Sequence, residues 1–291
     1  MDIRLICMDL DGTALQKDRM TFSPRLEAAL ENAHRQGIAV AVVTGRQFGL
    51  LPPAVKQDPV WSGLAVLNNG GQVRCLATGE LLDSLDLDPE ALRQLLKLAE
   101  IYDLPIEFSI DSKLYLTERS WMLQQNDPGL VFHRDVILKN HGFVVGTLEP
   151  FCERKIEKVN LLCIPQECRN VVVEELRQIA VSAVWSSGNC MEITHPQADK
   201  GRGLEKICAI LGIPEECSMA LGDSGNDIAM LRRAGLGVAM GNAPDFVKEA
   251  ADVITDRFDE DGAAKAIERW ALNEKGNHAA GSAVVYRFKI I

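Results

Sequence analysis

The sequence predicts an α/β protein: a Rossmann-like parallel-sheet core formed by residues 1–81 and 191–272, with an α+β domain, residues 82–190, inserted between the two halves. Three observations carry this expectation. Short all-apolar runs alternate with amphipathic helical segments at both ends of the chain, which implies a parallel sheet covered on both faces. The middle instead mixes polar and apolar residues along its strands, the pattern of a sheet with one wet face. Finally, residues 1–81 alone would make only half a sheet, so the two ends must fold together.

The first apolar run, Leu5 to Leu10, reads as a buried strand. Ser23 and Pro24 then supply an N-cap and a first helical position; Leu26, Ala29, Leu30 and Ala33 recur at helical spacing, and Gly37 stops the helix. IAVAVV (38–43) is a second buried strand ending at Thr44-Gly45-Arg46, and LAVL (64–67) a third ending at Asn68-Asn69-Gly70-Gly71. In the middle, IEFSI, LYL, VNLLCI and MEIT read as strands, interrupted by helices near Asp88 to Tyr102 and Glu167 to Val181. The core pattern resumes with a helix from Lys200 to Leu211, SMAL (218–221), a helix from about Asp227, and LGVA (236–239). A helix near Pro244 to Ala251, the short strand DVIT and a helix from Gly262 to Leu272 complete it. Residues 273–291 open as a flexible linker and close on an apolar run with no obvious place in the sheet, and read either as a poorly packed tail or as an edge strand or partner contact.

Composition limits the function classes. With 291 residues, 47% of them hydrophobic, and no low-complexity tract, the chain can bury a substantial core. No run approaches the roughly 18 apolar residues of a membrane helix. The N-terminus places Asp2 and Arg4 before a short strand, without a signal-peptide apolar region, so the expectation is a cytoplasmic protein with no membrane attachment. Eight cysteines (Cys7, Cys75, Cys152, Cys163, Cys168, Cys190, Cys208, Cys217) form no CxxC pair and read as reduced core thiols. The five histidines show no metal-ligand spacing, and His195 reads as structural. A net charge of -10 argues against a nucleic acid polymer as partner, since phosphate backbones select basic surfaces. No protein partner is evident, and an anionic small substrate would need a local positive site.

In open parallel sheets ligands gather at the carboxyl ends of the strands, and the unusual polar residues of this sequence all fall there. The first strand delivers Asp9 and Asp11, the second Thr44-Gly45-Arg46, and SMAL delivers GDSGND (222–227), while Lys200 starts the preceding helix. Two carboxylates ~4 Å apart repel by about 4 kcal/mol at an effective dielectric of about 20, and Asp9, Asp11, Asp223 and Asp227 would crowd one crevice. A divalent cation relieves this, and an oxygen set without Cys or His suits Mg²⁺. Lys200 would neutralise one more carboxylate. Thr44, the amides around Gly45, and Asn226 offer donors to a tetrahedral anion, which together make a phosphate site.

DLDGT (9–13), VVTGR (42–46), Lys200 and GDSGND (222–227) resemble, in order, spacing and context, the four motifs of the haloacid dehalogenase (HAD) superfamily, specifically its Cof-type phosphatases. The likeness covers about residues 1–272, and the inserted segment is similar in length and pattern to the α/β cap domain of that branch. The resemblance implies a Mg²⁺-dependent phosphatase acting on a small phosphorylated metabolite, with sugar phosphates foremost, through an aspartyl-phosphate intermediate. Asp9 would be the nucleophile and Asp11 the general acid and base. Mg²⁺ would be held by the Asp9 carboxylate, the Asp11 main-chain carbonyl and Asp223, with Ser224 nearby. The Leu10 amide, Thr44, Gly45, Lys200 and Asn226 would bind the phosphoryl oxygens, with Asp227 orienting Lys200.

Position 11 separates branches of the superfamily: P-type ATPases carry Thr there and dehalogenases lack this second Asp, so hydrolysis or mutase chemistry is favoured. A sugar phosphomutase uses the same pair, but the cap here is larger than the small helical caps common in those enzymes. A catalytically silent phosphometabolite-binding protein is the non-enzymatic alternative, and it gains nothing from the Asp9 and Asp11 charges. Arg46 and Asn69 are possible substrate contacts or, equally, a surface cation and a plain turn; Asn68-Asn69-Gly70-Gly71 departs slightly from the family's usual Asn-Gly-Ala. Within the cap, Glu107, Lys113 and Arg119 are polar candidates for recognising the leaving group.

Overall fold

The computed structural model describes residues 2–57, 60–61, 63–125, 127–131, 133, 142–187 and 189–272, so the tail or edge strand of residues 273–291 lies outside the described residues. The chain opens with β1 (Leu5–Met8), α1 (Pro24–Arg35), β2 (Ala39–Val43), α2 (Pro53–Gln57), β3 (Leu64–Leu67), β4 (Gln72–Cys75) and β5 (Leu81–Ser84). Its middle adds α3 (Pro89–Ile101), β6 (Ile106–Ile110), β7 (Lys113–Thr117), α4 (Glu118–Gln125), β8 (Gly142–Val145), β9 (Lys158–Leu161), α5 (Arg169–Leu176), β10 (Ser182–Ser187) and β11 (Cys190–Thr194). It closes with α6 (Lys200–Leu211), β12 (Ser218–Gly222), α7 (Ile228–Arg233), β13 (Leu236–Ala239), α8 (Asp245–Lys248), β14 (Val253–Ile254) and α9 (Gly262–Ala266).

These elements form two compact units. The first contains Met1–Thr44, Pro52–Leu82 and the segment from Asp199 onward; the second contains Gly45–Leu51 and Asp83–Ala198. The chain therefore leaves the second unit at Ala198, beyond the expected division after Cys190, because β11 pairs along its length with β9 and β10 and cannot be cut from them.

In the first unit the strand order is β14-β13-β12-β1-β2-β3-β4-β5, parallel from β14 through β3. β1 and β2 are fully buried along their length, as expected of strands covered on both faces. Cys7 sits in register between Ala41 and Ala220, small neighbours that let the helices close over the sheet centre. The α1 N-terminus is capped as expected, Ser23 Oγ accepting from Leu26 N at 3.2 Å. The antiparallel turn-back into β4 was not foreseen, because Gln72-Val73-Arg74-Cys75 lacks the uniform apolar run of its neighbours.

In the second unit the order is β10-β11-β9-β6-β7-β8, antiparallel except between β7 and β8. Phe108 aligns with Val159 and Val159 with Ile193, and this face packs on Leu92, Leu95 and Leu98 of α3 and Val172 and Leu176 of α5. The opposite face aligns Glu107 with Asn160 and Asn160 with Glu192, and Ser109 with Lys158. It was expected to be wet. It is polar but largely buried: Asn160 bonds Glu107 and Lys158 bonds Glu192, and Glu107 and Ser109 are 0% exposed. The expected helix through Val181 stops at Leu176, and the unforeseen β10 follows.

All eight cysteines are free thiols, four of them (Cys7, Cys152, Cys190, Cys208) buried, in line with their reading as core residues. Among the described residues no helix is long and apolar enough to cross a membrane.

Candidate active site

β1 and β12 are adjacent parallel strands, and both hand polar loops to the same end of the sheet. Asp9 follows β1 directly, its amide donating to Leu221 O at 3.0 Å, so its backbone is tied to the neighbouring strand. Asp9 as a whole is 5% exposed. Leu10 is buried, and from Asp11 to Gly12 the backbone departs from helical geometry, Asp11 lying at φ -78 and ψ 120. Gly12 adopts φ +77, and a Cβ there would overlap the Asp223 carboxylate, so both conformation and space require glycine.

Lys200, the first residue of α6, is 1% exposed and reaches two carboxylates: Nζ donates to Asp9 Oδ1 at 2.7 Å and to Asp227 Oδ1 at 2.5 Å. Asp199 caps the helix, accepting from Arg202 N at 2.7 Å, and so fixes where Lys200 begins. Asp227 Oδ2 accepts the amides of Asp223 and Ser224, both at 2.9 Å, closing a capping box with Ser224. Asp227 also packs against Gly222, where any Cβ would overlap it. Both Asp227 oxygens are thus committed to lysine and backbone.

Asp223 is held differently. Thr13 Oγ1 donates to its Oδ1 at 3.2 Å and Asn242 Nδ2 to its Oδ2 at 3.1 Å. Ser224 Oγ donates to Asn226 Oδ1, and Asn226 Nδ2 donates to Asn69 Oδ1 at 2.9 Å, so the loop after β3 joins the same network. Thr44 closes β2; its amide donates to Val66 O and its carbonyl accepts from Asn69 N at 3.1 Å. Gly45 and Arg46 fall in the second unit, where Lys158 Nζ donates to Gly45 O at 2.8 Å and Arg46 Nη1 to Leu50 O at 3.1 Å. His195 Nδ1 accepts from Gln197 N at 3.1 Å in the turn before Lys200.

The first unit thus brings Asp9, Lys200, Asp223, Ser224, Asn226, Asp227 and Asn69 into one bonded network. Sequence reasoning missed Asn242 and gave Thr13 no role. The available signal was position: Met240-Gly241-Asn242 follows β13 at the same end of the sheet as the motifs that were singled out.

Electrostatics show what the site lacks. Burial pushes Asp9 well above the usual carboxylate range; Lys200 pulls it back, and the charges of Asp227, Asp223 and Asp11 push it up again. Burial and the Asp227 charge push Asp223 up to about 6, against the pull of Lys200 and the Thr13 hydrogen bond. Burial also works against the Lys200 ammonium, but Asp227 and Asp9 outweigh it and hold its pKa above the ordinary value. One ammonium therefore faces an excess of carboxylates. One oxygen each from Asp9, Asp223 and Asp227 lies within 4.8 Å of the others. An all-oxygen donor set short of positive charge fits a hard divalent cation, and of the three carboxylates Asp227 already gives both oxygens to Lys200 and backbone amides.

Open α/β sheets bind ligands at the carboxyl ends of their strands, and here that end carries a lysine-anchored acidic centre. The chain belongs to one family: residues 6–267 match the haloacid dehalogenase-like hydrolases. It is 32% identical over 275 residues to 5-amino-6-(5-phospho-D-ribitylamino)uracil phosphatase of Bacillus subtilis (strain 168), covering 94% of this chain and 97% of that one. It is 26% identical over 271 residues to the HMP-PP phosphatase of Yersinia enterocolitica, covering 92% and 95%. The solved structure of a HAD subclass IIB sugar phosphatase shares the fold with a TM-score of 0.79 at 24% identity, over 91% of this chain and 98% of that one. By family and relatives the chain is a phosphatase.

Proposed function

We propose that the chain hydrolyses a small phosphorylated metabolite through an aspartyl-phosphate intermediate on Asp9, with Mg²⁺ as cofactor. The observation that carries this reading is the Lys200 bridge, a fully buried ammonium 2.7 Å from Asp9 Oδ1 and 2.5 Å from Asp227 Oδ1. A nucleophilic carboxylate must stay ionised in a buried site, and the bridge opposes the burial that would protonate it.

In the proposed reaction Asp9 attacks phosphorus, and Asp11 gives its proton to the leaving alkoxide. Asp11 then takes a proton from the water that attacks the phosphoenzyme, releasing inorganic phosphate and restoring Asp9. Bound Mg²⁺ would be held by the Asp9 and Asp223 carboxylates and the Asp11 carbonyl, and would supply charge neutralisation for the transferring group. Thr44, Gly45, Asn226, Lys200 and the Leu10 amide would position the phosphoryl oxygens, with Ser224 beside the cation and Asp227 orienting Lys200. The inserted domain, which we take to be Asp83–Ala198 of the second unit, would select the leaving group.

The polar sheet face of the second unit supports a donor-rich metabolite. Ser109 Oγ, Gln124 Oε1 and Asn160 Oδ1 are buried there with no hydrogen-bond partner. Two of these are carbonyl acceptors and the third is a hydroxyl, and unmatched buried acceptors call for O–H or N–H donors. The substrate named for the Bacillus subtilis relative, a phosphorylated ribityl compound, is rich in such donors. Of the polar cap residues singled out from sequence, Glu107 lies in this cluster, whereas Arg119 is drawn to the exposed Asp103 and Lys113 to the Phe143 ring.

Release of phosphate from p-nitrophenyl phosphate and from a panel of sugar, polyol and nucleoside phosphates, with and without Mg²⁺, tests the reading. We expect Mg²⁺-dependent turnover lost in Asp9→Asn, with polyol or sugar phosphates ranked first. Wild-type turnover at background, or Asp9→Asn as active as wild type, would sink it.

A further inference from the structure

Asn242 lies outside the four motifs yet touches two of them. Its Nδ2 donates to Gly12 O at 2.9 Å and to Asp223 Oδ2 at 3.1 Å, while its Oδ1 accepts Phe258 N at 3.0 Å. The side chain is therefore a strut between the loop after β1, the loop after β12 and the segment after β14. Its own backbone is fixed on both sides: Met240 N donates to Gly222 O and Gly241 N to Asp256 O, each at 3.0 Å, and Ala243 is buried.

Together with Thr13, Asn242 gives Asp223 one neutral donor per carboxylate oxygen, and Gly12 leaves the room in which that carboxylate sits. The neutrality of both donors matters. A lysine or arginine at either place would hold the carboxylate but also cancel its charge and compete with a cation. An amide and a hydroxyl orient the oxygens and leave the charge available. Without them a carboxylate surrounded by Asp227 and Asp11 would be free to rotate away from its neighbours, and the spacing between Asp9 and Asp223 would be lost.

We infer that Asn242 is a positioning residue for the cation site: it holds Asp223 at a set distance from the β1 loop, with Thr13 as the second clamp. The inference rests on the Mg²⁺ reading above and is tested by metal binding without substrate. Mn²⁺ affinity of the full chain, measured by electron paramagnetic resonance of free Mn²⁺, should weaken by about 10–100-fold in Asn242→Ala, the usual effect of removing a partner that orients a ligand. The rise in thermal midpoint on adding Mg²⁺ should shrink in parallel. Thr13→Val removes the other donor at nearly constant volume and should weaken Mn²⁺ binding in the same direction, and Thr13→Ser should restore it, which keeps the test decisive if Asn242→Ala folds poorly. Wild-type Mn²⁺ affinity in Asn242→Ala and Thr13→Val, whatever their metal-free midpoints, would overturn the inference, as would a wild-type chain that binds neither Mn²⁺ nor Mg²⁺. p-Nitrophenyl phosphate turnover by the wild type is scored separately: a chain that binds metal but hydrolyses nothing refutes the phosphatase mechanism and leaves the Asn242 comparison intact.

Discussion

The two units each bury a cluster of charged side chains, and they resolve the electrostatic problem in opposite ways. In the first, Asp9 and Asp223 are pushed upward because Lys200 alone cannot offset burial and neighbouring carboxylates. In the second, Glu107 is 0% exposed, yet its carboxyl is held below the usual range. Burial works against it there too, but the His133 charge and hydrogen bonds from His133, Gln124 and Asn160 outweigh the penalty. His133 Nε2 lies 2.9 and 3.0 Å from the two Glu107 oxygens, Gln124 Nε2 at 2.9 Å and Asn160 Nδ2 at 3.2 Å. Lys158 and Glu192 pair at 3.0 Å on the same face. The second cluster is balanced in charge and short only of neutral donors; the first is short of charge. A buried carboxylate shifted upward has too little neighbouring positive charge and too few hydrogen-bond donors to offset its burial, and one shifted downward has enough of both.

This contrast gives opposite expectations for similar substitutions. The largest effect is expected for Asp9→Asn, which removes the proposed nucleophile and should lower kcat for p-nitrophenyl phosphate by at least about 10³-fold. Next, Glu107→Gln leaves His133 and two amide donors facing a neutral group, and should destabilise the second unit by about 3 kcal/mol in urea unfolding. Asp223→Asn should do the reverse in metal-free protein: it removes an uncompensated charge, and relief of about 1 kcal/mol would raise the midpoint by about 2–4 °C. The same variant should lose the stabilisation that Mg²⁺ gives the wild type. If Asp223→Asn lowers the metal-free midpoint as Glu107→Gln does, the two clusters are not opposites.

The smallest effect is the pH dependence that the second cluster contributes. Burial lowers His133, but the Glu107 charge and hydrogen bond outweigh it and leave its pKa above the ordinary 6.5. A raised histidine contributes stability that is fully present below 6.5 and is lost as pH rises through the higher folded value. Glu107, shifted below 4.5, contributes stability present above that value and lost as pH falls through its folded pKa. The pair is therefore at its best from about 4.5 to 6.5, and thermal midpoints should fall on the alkaline side; His133→Gln should flatten that fall.

Much of the core was readable because parallel strands covered by helices must be uniformly apolar, and the polar residues that interrupt them stand out. The bounds of β3, β13 and α6 match the expected segments, and Asp9, Lys200, Asp223 and Asp227 meet as the motif order implied. The less legible elements were β4, β8, β10 and α4, whose residues are partly exposed or mixed in polarity and so carry no clear period. Asn242 was invisible for a related reason: a lone asparagine in a turn is ordinary in sequence, and its partners are Gly12, Asp223 and Phe258, far away along the chain.

By itself the sequence determined the sheet type, the family and the gathering of Asp9, Asp223 and Asp227, because these follow from local apolar patterning and from motifs at strand ends. Only the tertiary structure decided how those carboxylates differ. It committed Asp227 to Lys200 and two backbone amides, left Asp223 between two neutral donors, and turned an expected wet face into a buried network around Glu107. The reason is physical: charge balance in a buried site is a sum over neighbours brought together from distant segments, and no single segment contains the sum.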